Sequence, residues 1–290
     1  MRRILTIFLA FIICLPSGAQ FIGGRYQDLD DSETVAALKE HIAFLSSTVL
    51  EGRAPGSEGE AEAAAYLTEQ FAKYGLDVLS GQFGDEFGMK QESGDTLTSR
   101  NVIAYIPGYD KTLRNKYIVI GARLDNIGSS VLTVDGEPRP NIFYGANGNA
   151  SGVAMLAELA KRLSTNSLLL RRSVLLIGFG ASTQSYAGSW YFLNRAFTAT
   201  SDIDAMINLD MVGTGGRGFY AYTASNADLN ALLQKVNSTL IPIIPEITAS
   251  EPFASDHRAF YDKEIPAVYF TTGRYPEWSS SRGEPSIIDY

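Results

Sequence analysis

Residues 144–156 read YGANGNASGVAML, a Gly/Asn loop that runs directly into an Ala-rich helical pattern. A helix start offers unpaired N–H groups and partial positive charge, so a loop of this shape suits a phosphate, a carboxylate or a ligating side chain. A nucleotide phosphate is a poor guest. The Gly-Lys-Ser/Thr that grips it is missing, and the glycine spacing fits no dinucleotide fingerprint. The loop has no charged residue of its own, so any chemistry here has to be completed by groups that other parts of the chain bring to it.

Those other parts alternate between helical and strand patterns, with no internal repeat and no low-complexity block. The alternation predicts an α/β fold with helices on both faces of a mainly parallel β-sheet. Ser32 is a candidate N-cap for a helix reaching about Leu45, and Ser57 caps a second whose apolar face is Ala64, Leu67, Phe71 and Tyr74, ended by Gly75. Strand patterns cover residues 101–106, 117–122, 203–212 and 266–271, while the unbroken apolar run 173–180 reads as a central strand covered on both sides. Helical patterns lie near 186–197 and 226–237. In such sheets ligands bind beyond the carboxyl ends of the strands. The loops at 123–126, 181–184, 210–214 and 255–257 are therefore the places for chemistry.

The chain's beginning and its charge limit the class of function. Arg2 and Arg3 precede an apolar run over 4–15, and Ser17, Gly18 and Ala19 supply a signal-peptidase pattern. Cleavage after Ala19 is the expectation, leaving 20–290 as one domain. The run is shorter than the ~20 apolar residues of a membrane span, so no membrane span is expected after cleavage. Cys14, the only cysteine, would leave with the leader, and the mature protein would have no disulfide. A formal charge of −8 argues against nucleic acid, which needs a basic face.

Six blocks carry a resemblance. LEGRAPGSEGE (50–60), GARLD (121–125), GANGNASG (145–152), FGAST followed by AGS (179–189), NLDMVG (208–213) and SDHRAF (255–260) occur in this order. Together they resemble the family-twenty-eight metallopeptidases, the co-catalytic zinc aminopeptidases that also include glutaminyl cyclases. The resemblance implies their fold, a central mixed, mainly parallel sheet flanked by helices. It also implies a site of two zinc ions sharing a bridging aspartate and a bridging water. Each zinc would have a histidine and a further carboxylate, with a free glutamate as general base.

Carried over residue by residue, that site is largely missing. Arg123 stands at the first histidine ligand, Gly148 at the bridging aspartate, and Ser182 and Thr183 at the general base and the adjacent carboxylate ligand. Asp210 and His257 keep a ligand type, and Asp125 keeps the residue that orients the first histidine. Two ligands are too few for a catalytic zinc. The resemblance therefore implies no metal or other cofactor and no catalytic residues. The residual cleft is Arg123, Asp125, Asp210 and His257. Because acids were lost where a guanidinium was gained, Arg123 is expected to bond Asp210, Asp125 or both, with His257 capping the cluster.

The remaining candidates have plainer readings. His41 is read as a surface or boundary histidine distant from the site, Arg53 as a pin between two helices, and Trp190, Tyr191 and Phe192 as core. Arg171 and Arg172 are read as a solvated strand entry. The stretch TTGRYPEWSS (271–280), where relatives contact substrate, departs from the family pattern. The function expected is an exported, periplasmic or extracellular zinc-aminopeptidase homologue without peptidase activity, binding a peptide or protein. The family supplies a precedent in the transferrin receptor ectodomain. The alternative is an active metallo-aminopeptidase with an altered or single-zinc site, and a third reading is a structural subunit whose old cleft is packed shut.

Overall fold

A computed structural model describes residues 32–82, 84–214, 218–237, 245–251, 253–273 and 283–290. The proposed leader and most of the 271–280 stretch lie outside these residues. Among the described residues, no helix is long and apolar enough to cross a membrane.

The chain begins with α1 (Glu33–Leu45) and α2 (Glu58–Lys73), each started by the serine the sequence nominates. Ser32 accepts from the Val35 amide and Ser57 from the Glu60 amide. Gly75, at φ +74°, follows the end of α2 in the left-handed region. The strands are β1 (Asp77–Val78), β2 (Asp85–Lys90), β3 (Thr96–Ile106), β4 (Tyr117–Arg123), β5 (Ser129–Val134), β6 (Glu137–Ile142), β7 (Ser173–Phe179), β8 (Ile203–Leu209), β9 (Tyr220–Tyr222), β10 (Glu246–Thr248) and β11 (Ala267–Thr271). Between them come α3 (Ser151–Thr165), α4 (Ala187–Tyr191), α5 (Ala227–Asn237) and α6 (His257–Tyr261).

The main sheet runs β1-β3-β7-β4-β8-β11-β9-β10, with β2 also paired to β3. Its centre, β7-β4-β8-β11, is parallel, and antiparallel strands flank it on both sides. This is the predicted mixed, mainly parallel sheet. Every residue of β7 is buried, as its unbroken apolar run requires. Alternation along the strands divides the core in two. Val102, Ala104, Val174 and Leu176 pack with residues of α1, α2 and α3 on one face. Ile103, Leu175, Ile177 and Phe179 pack with Phe192, Ala259 and Phe260 on the other. Of the proposed aromatic core trio, Phe192 is fully buried, while Trp190 and Tyr191 are half-buried around it.

Three departures from the sequence reading stand out. β5 and β6 form a separate hairpin whose prolines hid it from a strand pattern. His41 is buried, because α1 packs on α3 and turns position 41 toward Glu158. The double-arginine entry to β7 is only partly free in solvent: Arg171 bonds Asp110 at 2.8 Å and Arg172 pairs with Asp204.

Candidate active-site cleft

The carboxyl ends of the parallel strands converge on the cleft, as the topology dictates. β4 ends at Arg123, followed by Asp125; Ser182 and Thr183 follow β7, and Asp210 follows β8. Ser255, Asp256 and His257 lie at the start of α6. A cavity of about 340 Å³ opens there, with Arg123, Thr183, Tyr186, Asp210, Met211 and Phe253 in its wall.

The Gly/Asn loop is held by the chain itself. Asn149 Oδ1 accepts the Gly152 amide at the start of α3 and the Met211 amide, and its Nδ2 donates to the carbonyls of Arg123 and Leu209. Asn147 Oδ1 accepts the Gly213 amide and the Ser151 hydroxyl. The carboxamides thus take the place of an external guest at the helix start. Arg53 secures the other side: its guanidinium donates to the carbonyls of Leu45, Leu124, Tyr144 and Gly145. It is the structural pin its sequence position suggests, tying the end of α1 to two cleft loops. Burial, and then the neighbouring Arg123, push its pKa down to about 9.

At the centre, Arg123 Nη2 donates to Asp210 Oδ1 at 2.9 Å, and both residues are buried. The other oxygen of Asp210 accepts the Ser255 hydroxyl at 2.8 Å, and Ser255 in turn accepts from Asn208 at 2.9 Å. Burial alone would discourage the Arg123 charge. Asp210 and then Asp125 outweigh it and raise the guanidinium above its usual pKa.

Of the two acids the sequence offers Arg123, it bonds Asp210, and the Asp125 carboxylate is held elsewhere. Asp125 Oδ1 accepts the Ser182 amide at 2.7 Å, while Oδ2 accepts the Thr183 amide at 2.9 Å and its hydroxyl at 2.5 Å. Arg123 reaches only the Asp125 backbone carbonyl, at 3.5 Å. The short side chains at 182 and 183 leave their amides free to clasp the aspartate.

His257 does not cap the cluster either. Its Nε2 bonds Glu251 Oε1 at 2.8 Å, and its ring stacks on Tyr269 with centroids 4.7 Å apart. The neighbouring Asp256, which the sequence reading passed over, enters the cleft instead and accepts the Ser182 hydroxyl at 2.6 Å. Burial pushes the Asp256 pKa up to about 7, with Asp125 and Asp210 adding to the rise against the Ser182 bond. Glu60 was also missed. It accepts the Ser99 hydroxyl and the amides of Gly56 and Ala181, and burial followed by Asp125 raises it to about 7. Its sequence signal was available, since it stands three residues after the N-cap Ser57, where an acid folds back on the helix start.

Residues 101–290 match the family described as Peptidase family M28. This chain belongs to peptidase family M28. Leupeptin-inactivating enzyme 1 of Streptomyces exfoliatus is 24% identical over 233 residues, covering 80% of this chain and 48% of that protein, so the chain spans about half the length of this curated relative. Among solved structures, a zinc aminopeptidase from Bacillus subtilis superposes with a TM-score of 0.69 at 14% identity over 88% of this chain and 90% of that one. Porphyromonas gingivalis glutaminyl cyclase does so with a TM-score of 0.66 at 21% identity, over 89% and 93%. At these identities the structural likeness shows the M28 fold alone.

The residues present in this M28 cleft do not fit a pair of zinc ions. Both carboxylate oxygens of Asp210 and of Asp125 already accept hydrogen bonds, and the Arg123 guanidinium, at the end of β4, bonds Asp210 just past the end of β8. Among the described residues, no group of three or more His, Cys, Asp or Glu side chains is placed to hold a metal. No histidine among the described residues accepts from the cleft hydroxyls of Ser182, Thr183 and Ser255. Ser182 donates to Asp256, and the one histidine beside it in sequence order, His257, is engaged by Glu251.

Proposed function

We propose that this chain is an M28-fold protein that has given up zinc binding and peptide hydrolysis, and that it acts as an exported binding or interaction protein for a peptide or protein. The observation carrying the reading is the Arg123–Asp210 pair. A fixed cation stands in the cleft and uses the carboxylate oxygen a metal would need. The asparagine-clamped loop and the amide-clasped Asp125 support it, because a site assembled without metal must satisfy its polar groups internally. Export rests on the leader pattern over 1–19. The activity named for the relatives is not carried over, since metal-water chemistry needs an open metal position that these residues do not offer.

Two measurements on the purified mature protein test this reading. After brief exposure to excess zinc and desalting, it should retain far less than one metal per chain. Amino-acid p-nitroanilides and dipeptides should be cleaved no faster than in buffer. One or two tightly held zinc ions, or turnover that survives repurification and disappears in Asp210→Asn, would instead establish a metallo-aminopeptidase with an altered site.

A further inference from the structure

The hairpin β5–β6 stands apart from the main sheet, and every residue of β5 is exposed, Val131 at 72% and Leu132 at 50%. An isolated two-stranded hairpin is marginal in water, so its two outer edges decide what can join it. They differ. The turn Asp135–Gly136 has φ values of +55° and +83°, the form of a two-residue type I′ turn, which makes Val134↔Glu137 the first hydrogen-bonded pair.

Alternation then makes Thr133↔Pro138 and Val131↔Pro140 non-hydrogen-bonded pairs, whose backbone groups face outward. On β6 those outward positions are both proline, so that edge lacks two donors and resists pairing. On β5 they are Val131 and Thr133, whose outward N–H and C=O groups are taken by no other described residue.

We propose that the β5 edge pairs with the β5 edge of a second copy of this chain, antiparallel about Leu132, giving a four-stranded sheet closed at both outer edges by Pro138 and Pro140. Two observations favour a second copy as the occupant, the uncharged edge and the proline-blocked outer edges. The open edge, SSVLTV, carries no charge, so two copies of a chain with formal charge −8 meet there without local repulsion. Centring on Leu132 sets the outward residues Val131 and Thr133 of the two copies opposite one another, as an antiparallel ladder requires. The proline edges then end the assembly at two. A pair of short strands buries less than the ~1,600 Å² of a standard interface, so the dimer should be weak and concentration-dependent.

Sedimentation or light scattering on the mature protein across about 1–100 µM should show a rising dimer fraction. Thr133→Pro and Val131→Pro install on β5 the block that β6 already has, and either should give a monomer. Far-UV circular dichroism identifies the variant that keeps its fold. In the mature protein (residues 20–290), which lacks Cys14, Leu132→Cys supplies the only thiol and should cross-link to a covalent dimer on mild oxidation. Facing residues in a non-hydrogen-bonded pair lie about 4.5 Å apart at Cα, within disulfide range. A protein that stays monomeric throughout, a dimer that survives a folded proline variant, or a dimer that Leu132→Cys does not cross-link would overturn the proposal.

Discussion

Two buried polar clusters sit in different layers of this molecule, and each sets a basic side chain near an acid. In the cleft, Arg123 meets Asp210 at 2.9 Å and surrounding amides and hydroxyls take up the other carboxylate oxygens of Asp125 and Asp210. In the helix layer, His41 Nδ1 bonds the Tyr66 hydroxyl at 2.6 Å, while its Nε2 stops 3.7 Å short of Glu158 Oε1, and neither of those two atoms has a hydrogen-bond partner among the described residues. The cleft depends on a permanent cation. In the helix layer burial lowers the pKa of the ring, against the pull of Glu158. The guanidinium is held charged by its acidic neighbours, whereas burial opposes a charge on the ring.

Removing Arg123 gives the largest separation between them. Arg123→Ala would leave Asp210 buried with only Ser255 to support its charge and would withdraw positive potential from Asp125. Stranding one partner of a buried pair costs about 3–5 kcal/mol, which for a domain of this size is a fall in thermal midpoint of roughly 2–4 °C per kcal/mol. Differential scanning calorimetry on Arg123→Ala checks this. An unchanged midpoint would mean that the guanidinium contributes nothing to the cleft and that its role as a metal substitute is wrong.

The second contrast is the sign of the pH dependence. Glu60 and Asp256 have folded pKa values raised to about 7, well above an unfolded carboxyl. The folded protein therefore holds those protons more tightly. The stability they contribute is complete below the unfolded pKa and is lost as pH rises through about 7. Lowering the pH from 8 to 6.5 should stabilise the fold by about 1 kcal/mol for each group. Glu60→Gln, which keeps shape while removing the titration, should reduce that slope. A midpoint that falls between pH 8 and 6.5 would contradict the neutral-acid description of the cleft.

What the sequence revealed follows from which signals are one-dimensional. The serine caps, the buried β7 and the order of the cleft loops are local patterns, and each is where the sequence places it. Charge alone sets Arg123 against Asp210, Asp125 or both, and only the structure picks Asp210. His257 is named in the sequence reading and Asp256 is not, because two adjacent residues at a helix start differ only in which way the backbone aims them. Proline at 138 and 140 argued against a strand, since only the hairpin register shows that both point outward. His41 was misread as a boundary residue because its partners, Tyr66 and Glu158, come from two other helices.

The smallest effect belongs to His41, and it completes the contrast. Burial lowers its pKa below the ordinary value, with Glu158 pulling the other way. For a histidine held neutral by the fold, the stabilisation is present above the unfolded pKa and is lost as pH falls toward the folded one, opposite in sign to the cleft acids. The gain on acidification should therefore level off or reverse below about pH 6.5, and His41→Gln should flatten that acid limb while leaving the slope above it. The chain has two histidines, His41 and His257, so proton NMR of the imidazole resonances can follow each through a titration, assigned with the same variant. A His41 midpoint at or above 6.5 would show that Glu158 prevails over burial. The helix layer would then gain stability with acid just as the cleft does, and the opposition between the two clusters would disappear.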